Sequence, residues 1–69
     1  MKYEFTQDDL NEIENIKAKY PDVKAATLPA LWVAQNRFGH VDGDVQKLVA
    51  STLELPEAHV HGVANFYTQ

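Results

Sequence analysis

The chain is predicted to fold as a compact, all-α, orthogonal bundle of four short helices. No segment shows the strict alternation of a half-buried strand, and Val23 to Ala26 is too short and Ala-rich to supply one. Punctuation at Tyr20-Pro21-Asp22, Phe38-Gly39-His40 and Leu55-Pro56 cuts the chain into pieces of helical length. Each piece carries apolar residues at helical spacing.

In the first piece Thr6 is a candidate N-cap, and Asp8 and Asp9 fall in the first turn, where the helix dipole favours negative charge. Leu10, Ile13, Ile16 and Tyr20 share an arc of about 120° at 3.6 residues per turn. Pro21 ends this helix. The second piece is expected to start with Thr27 as N-cap, with Pro29 in the first turn, where its missing N–H costs little. Its stripe is Leu28, Leu31, Trp32 and Phe38, with Gln35 in the middle and Gly39 as a left-handed C-terminal cap. Burying an unpaired amide costs on the order of 1–3 kcal/mol, so Gln35 is expected to be satisfied by a neighbouring helix terminus or a loop carbonyl, ahead of a contact with a partner.

The third piece has Asp42 as N-cap and Val45, Leu48, Val49, Thr52 and Leu53 on one face. The fourth opens with Pro56 at its first helical position and places Val60, Val63, Ala64 and Tyr67 on one stripe, with Phe66 displaced to a flank. Gly62 weakens that helix by ~1 kcal/mol relative to Ala unless a close approach needs the missing side chain.

Length and composition narrow the function. A chain of 69 residues buries only about 60% of the surface it exposes when unfolded, which leaves little room for a large internal cavity. Its stability is therefore expected to be a few kcal/mol. Zero Cys removes disulfides, thiolate zinc sites, Cys nucleophiles and Cys-ligated iron-sulfur clusters from these residues. The net charge of −4 disfavours phosphate backbones and anionic lipids as partners. With no apolar run of membrane-spanning length and an acidic start lacking a signal-like apolar stretch, the reading is a cytoplasmic protein, alone or within a membrane-associated complex on its cytoplasmic side.

The candidate chemical motifs favour bland readings. His59 and His61 lie about 200° apart on a helix and cannot close on one ion, so they read as surface histidines. Asp42-Gly43-Asp44 opens like a calcium loop, but Gln46 and Leu53 occupy ligand positions, which leaves a capped helix start. Ser51 has neither a nucleophile elbow nor a preceding Asp suited to a carrier-protein serine. A helix-turn-helix reader of DNA would need basic residues that the third and fourth pieces lack, apart from Lys47. No catalytic, cofactor-binding or metal-binding residue is assigned.

Two stretches carry a family resemblance. Leu28-Pro29-Ala30-Leu31-Trp32-Val33-Ala34-Gln35, followed by Phe38-Gly39-His40-Val41, and then Leu55-Pro56 through Val63-Ala64-Asn65-Phe66-Tyr67-Thr68 occur in order. Across residues 6–69 the chain resembles the N-terminal helical region of the thioredoxin-like 2Fe-2S ferredoxin family. Its members include the small iron-sulfur subunit of the complex I NADH dehydrogenase module and relatives in NAD(P)-linked hydrogenases and formate dehydrogenases. His61 and Gly62 stand where that pattern carries an aromatic and a charged or polar residue.

The resemblance implies electron transfer, with a 2Fe-2S cluster held by four cysteines in a following thioredoxin-like domain. It also implies docking on a flavoprotein that binds FMN and oxidises NAD(P)H. Residues 1–69 would then be one helical domain, the N-terminal part of a longer subunit, with Phe66, Tyr67 and Thr68 as the junction to its C-terminal domain or a partner contact. No cluster ligand is carried over, because the chain contains none. The alternative is a stand-alone helical interaction module without a redox role, and the reading frame after Gln69 discriminates the two.

Overall fold

A computed structural model describes residues 3–67, and of Tyr67 only the backbone. Helices α1 (Gln7–Lys19), α2 (Thr27–Phe38), α3 (Gly43–Leu53) and α4 (Glu57–Tyr67) are joined by short connections, and a 3₁₀ turn, Val23–Ala26, precedes α2. There is no strand among the described residues. The molecule measures 25 × 23 × 20 Å, so no helix projects away from the rest.

Helix α1 begins with a full capping box. The Asp9 N–H donates to Thr6 Oγ1 at 3.2 Å, and the Thr6 N–H donates to Asp9 Oδ2 at 3.1 Å. Thr6 is thus the expected cap, while Asp9 does more than complement the dipole. Asp42 caps α3 as expected, its Oδ1 accepting from the Val45 N–H at 2.9 Å. Gly39 ends α2 at φ 80°, donating its N–H to the Gln35 carbonyl at 2.8 Å. The Gln35 side-chain amide donates back to the Gly39 carbonyl at 2.9 Å. The amide is therefore satisfied at the C-terminus of its own helix.

Two helix starts differ from expectation. Thr27 is not the cap of α2: Ala26 occupies that position, and no side chain caps the helix. The 3₁₀ turn runs directly into the helix, so Thr27 is already helical at φ −61°, ψ −48° and lacks the extended backbone from which an N-cap hydroxyl reaches the N–H groups two or three residues on. Pro56 lies one position before α4, where its carbonyl accepts from the N–H groups of His59 and Val60.

Between α3 and α4 the chain reverses through Glu54 at φ 58°, with the Leu55 N–H bonded to the Ala50 carbonyl and the Glu54 N–H to Ser51. This is a Schellman closure in which Glu occupies the position usually given to Gly.

The core is built from Ile13 of α1, Ala30, Leu31, Val33 and Ala34 of α2, Val45, Val49, Ala50 and Leu53 of α3, and Val60 and Ala64 of α4. Helix α2 touches all three other helices and the 3₁₀ turn. Its buried row is Thr27, Ala30, Leu31 and Ala34, with Val33 beside it. That row departs from the predicted stripe: Leu28 and Trp32 are exposed, and small Ala residues face the other helices instead. Tyr20, expected on the α1 stripe, is also exposed. Alanine allows the close helix approach that a core of this size requires.

Candidate functional site

Three of the four exposed large apolar side chains among the described residues collect on one face. Tyr20 at the end of α1 and Leu28 and Trp32 on α2 are 39%, 45% and 55% exposed. With Ile16, Val33 and Glu12 they line an open groove of about 520 Å³ between α1 and α2. On the α1 side Glu12, Ile16 and Tyr20 follow one another at i, i+4 and i+8. On the α2 side Leu28, Trp32 and Asn36 do the same.

The helices run antiparallel here, because the start of α1 is locked to the end of α2. Arg37 donates to the Asp9 carboxylate from Nε at 2.6 Å and from Nη2 at 3.2 Å. The Arg37 hydrogen bond is the main reason the Asp9 carboxyl sits below its ordinary pKa; burial opposes it, and the Thr6 N–H adds to it. Asp9 is only 7% exposed, whereas the Arg37 guanidinium reaches water.

The junction residues predicted from sequence are only partly described. Phe66 is 83% exposed near the end of α4. The Tyr67 side chain and Thr68 lie outside the described residues. Phe66 does not line the α1/α2 groove, so the structure separates two apolar surfaces that the sequence does not distinguish. The helical spacing of Leu28 and Trp32 points to the core, yet both lie on the groove. Helix α2 carries apolar residues around most of its circumference, and that signal marks a helix with more than one apolar face to cover.

The polar candidates are dispersed. His61 Nδ1 lies 2.8 Å from Gln46 Oε1, joining α4 to α3. His59 is half-buried, with Nε2 enclosed and lacking a protein partner among the described residues. His40 Nε2 lies 2.8 Å from Tyr3 Oη, which also donates to Asp42 Oδ2 at 3.2 Å. The last cluster pins the segment before α1 to the loop between α2 and α3, aided by Tyr3 and Phe5 packing on Phe38. The Val45 N–H, then Tyr3 and His40, hold the Asp42 carboxyl below its usual range, although burial opposes them. Asp42 is thereby used as a cap and tether. Ser51 is exposed on α3.

Comparison with known proteins gives a consistent relationship. Residues 13–69 match the model of the thioredoxin-like [2Fe-2S] ferredoxin family. An NADH-quinone oxidoreductase E-subunit of Rhizobium meliloti is 44% identical over 57 residues, covering 83% of this chain and 34% of that protein. The E-subunit of Buchnera aphidicola is 35% identical over all 69 residues, which span 43% of its length. Its counterpart in Salmonella typhimurium is 34% identical over 67 residues, 97% of this chain and 40% of the relative. The chain thus spans well under half the length of these relatives. No solved structure matches it significantly.

The residues present do not fit the cluster in the family's name. A [2Fe-2S] centre is held chiefly by Cys thiolates, and the 69 residues contain no Cys. Among the described residues no group of three or more His, Asp or Glu side chains converges either. The order of the helical motifs and the match over residues 13–69 place the chain in the thioredoxin-like [2Fe-2S] ferredoxin family.

Proposed function

We propose that this chain is the helical docking region of an electron-transfer subunit in an NADH-linked oxidoreductase. In this reading it carries no redox centre, and it positions a cluster-bearing thioredoxin-like domain against a flavoprotein that binds FMN and oxidises NADH. The observation that carries the proposal is the alignment of all 69 residues with an NADH-quinone oxidoreductase E-subunit, of which they span 43%. A Cys-free bundle with exposed apolar side chains supports a scaffold role for this part.

The partner assignment is tested by mixing the chain with a purified FMN-containing, NADH-oxidising flavoprotein and following complex formation by size-exclusion chromatography and calorimetry. A saturable one-to-one complex is expected, and its absence rejects the docking role. The domain assignment is tested by the reading frame beyond Gln69, where four spaced Cys codons are expected and an immediate stop codon rejects it.

The proposed junction at Phe66, Tyr67 and Thr68 rests on the exposure of Phe66 near the end of α4. Amide exchange at Phe66 and Tyr67 should slow when the following domain is present. Equal protection with and without it removes the junction.

A further inference from the structure

The α1/α2 groove has a shape and charge that select among occupants. It is walled by ridges two turns long, so Glu12 to Tyr20 spans about 12 Å along α1. Along that length another helix presents side chains at i, i+3 or i+4, and i+7, the spacing with which an amphipathic helix seats in an apolar groove. Ile16, Leu28, Trp32 and Val33 supply an apolar strip along the groove, polar atoms make up nearly half of its exposed lining, and Glu12 and Asn36 mark one end. Glu12 is the one charged side chain lining the groove, and it forms no ion pair among the described residues. Asp8 lies one turn before it on the same ridge.

A second copy of this chain is a poor occupant. A two-fold contact would bring together two molecules that each carry a net charge of −4, and neither groove would offer the other's Glu12 a basic partner. A small molecule would also gain little, since the groove is open along its length and encloses no ligand.

We infer that the groove seats one amphipathic helix of a partner protein, with three apolar residues at i, i+3 or i+4, and i+7 and a Lys or Arg beside Glu12. The inference rests on the docking reading and names the surface and the chemistry it accepts. Phe66, outside the groove, is left to the junction.

Trp32 is the sole Trp and lies on the groove wall, so its emission reports occupancy directly. The probes are two synthetic helical peptides with the same Leu face, one with Lys and one with Glu at the position facing Glu12. The Lys peptide is expected to shift Trp32 emission to the blue in a saturable way, and the Glu peptide to bind at least ~10-fold more weakly. Glu12→Lys should reverse that preference. Leu28→Ser should weaken the Lys peptide at least ~10-fold. Both substitutions are at exposed positions, and far-UV circular dichroism checks that the bundle is retained.

No saturable shift with either peptide, equal affinity for both, or a shift that depends only on the chain's own concentration overturns the inference. The flavoprotein mixture separates this inference from the reading it rests on. If the flavoprotein binds the parent chain and Leu28→Ser equally, the groove assignment fails while docking stands. If it binds neither but the Lys peptide binds, docking to the flavoprotein fails while the groove assignment is supported.

Discussion

Thr27 offers a test in which two accounts of the same residue predict opposite signs. Its side chain is fully buried at the start of α2, and Oγ1 has no protein hydrogen-bond partner among the described residues. A buried hydroxyl without a partner costs about 1–3 kcal/mol in lost hydration. Thr27→Val keeps the branched shape and removes that cost, so the expected gain is about 1 kcal/mol after allowing for imperfect repacking. For a domain of this size such a gain raises Tm by about 4–8 °C. Thr27→Ser keeps the hydroxyl and deletes a packed methyl, so it should lose about 1 kcal/mol.

Were Thr27 an N-cap, the signs would reverse. Val would then cost about 0.5–2 kcal/mol and Ser would be nearly neutral. Urea unfolding followed by far-UV circular dichroism, with midpoints compared at unchanged slope, reads the difference. A destabilised Thr27→Val together with a neutral Thr27→Ser would refute the orphan assignment and show that the hydroxyl is partnered.

Three further outcomes follow from the fold. Gly39→Ala and Gly62→Ala both place a methyl in open space, but Gly39 sits at φ 80° and Gly62 lies within α4 without a positive φ. The first should cost about 1 kcal/mol in strain and the second gain about 1 kcal/mol in helix propensity, as read by urea unfolding. The Asp9 carboxyl is held below its reference value of 3.8, mainly by Arg37, so its stabilisation is complete above that pH and is lost as pH falls through the lower folded value. The parent chain should therefore destabilise more steeply than Asp9→Asn in acid unfolding curves, and parallel curves would contradict the linkage. Leu31→Ala empties the centre of the core at a cost of about 3 kcal/mol, against a total of about 3–10 kcal/mol for 69 residues. Collapse of the near-ultraviolet signal of the adjacent Trp32 is expected, and a native spectrum with an unchanged midpoint would argue against that placement.

What can be read from sequence is what is settled within one turn. Thr6, Gly39 and Asp42 cap their helices because each cap involves residues three or four positions away, and the residue types suffice to indicate them. Thr27 looks the same locally but fails as a cap because the preceding 3₁₀ turn places it in helical backbone, from which its hydroxyl does not cap the helix. The left-handed Glu54 carries no glycine signal, and its conformation is imposed by closing α3 onto α4. Asp9 with Arg37, 28 positions apart, and Tyr3 with His40, 37 apart, are tertiary pairings that no helical period encodes. The groove is hidden for a related reason. Periodicity shows that Leu28 and Trp32 share a side of α2, but which side meets α3 and α4 depends on the Ala residues that permit close approach.

The stretch from Leu28 to Gln35 therefore carries two constraints at once. Ala30, Leu31 and Ala34 build the core, while Leu28, Pro29 and Trp32 face the groove, so one helix both holds the bundle together and presents its largest apolar surface. A bundle this small has little stability to spare. Leu28 and Trp32 are exposed at positions where polar side chains would serve solubility better. The docking role proposed above would account for that arrangement. The fourth helix repeats the pattern, with Val60 and Ala64 turned inward and Phe66 left almost fully exposed. In both stretches the residues that carry the family likeness divide between the core and the exposed surface, a division the proposed docking role would require.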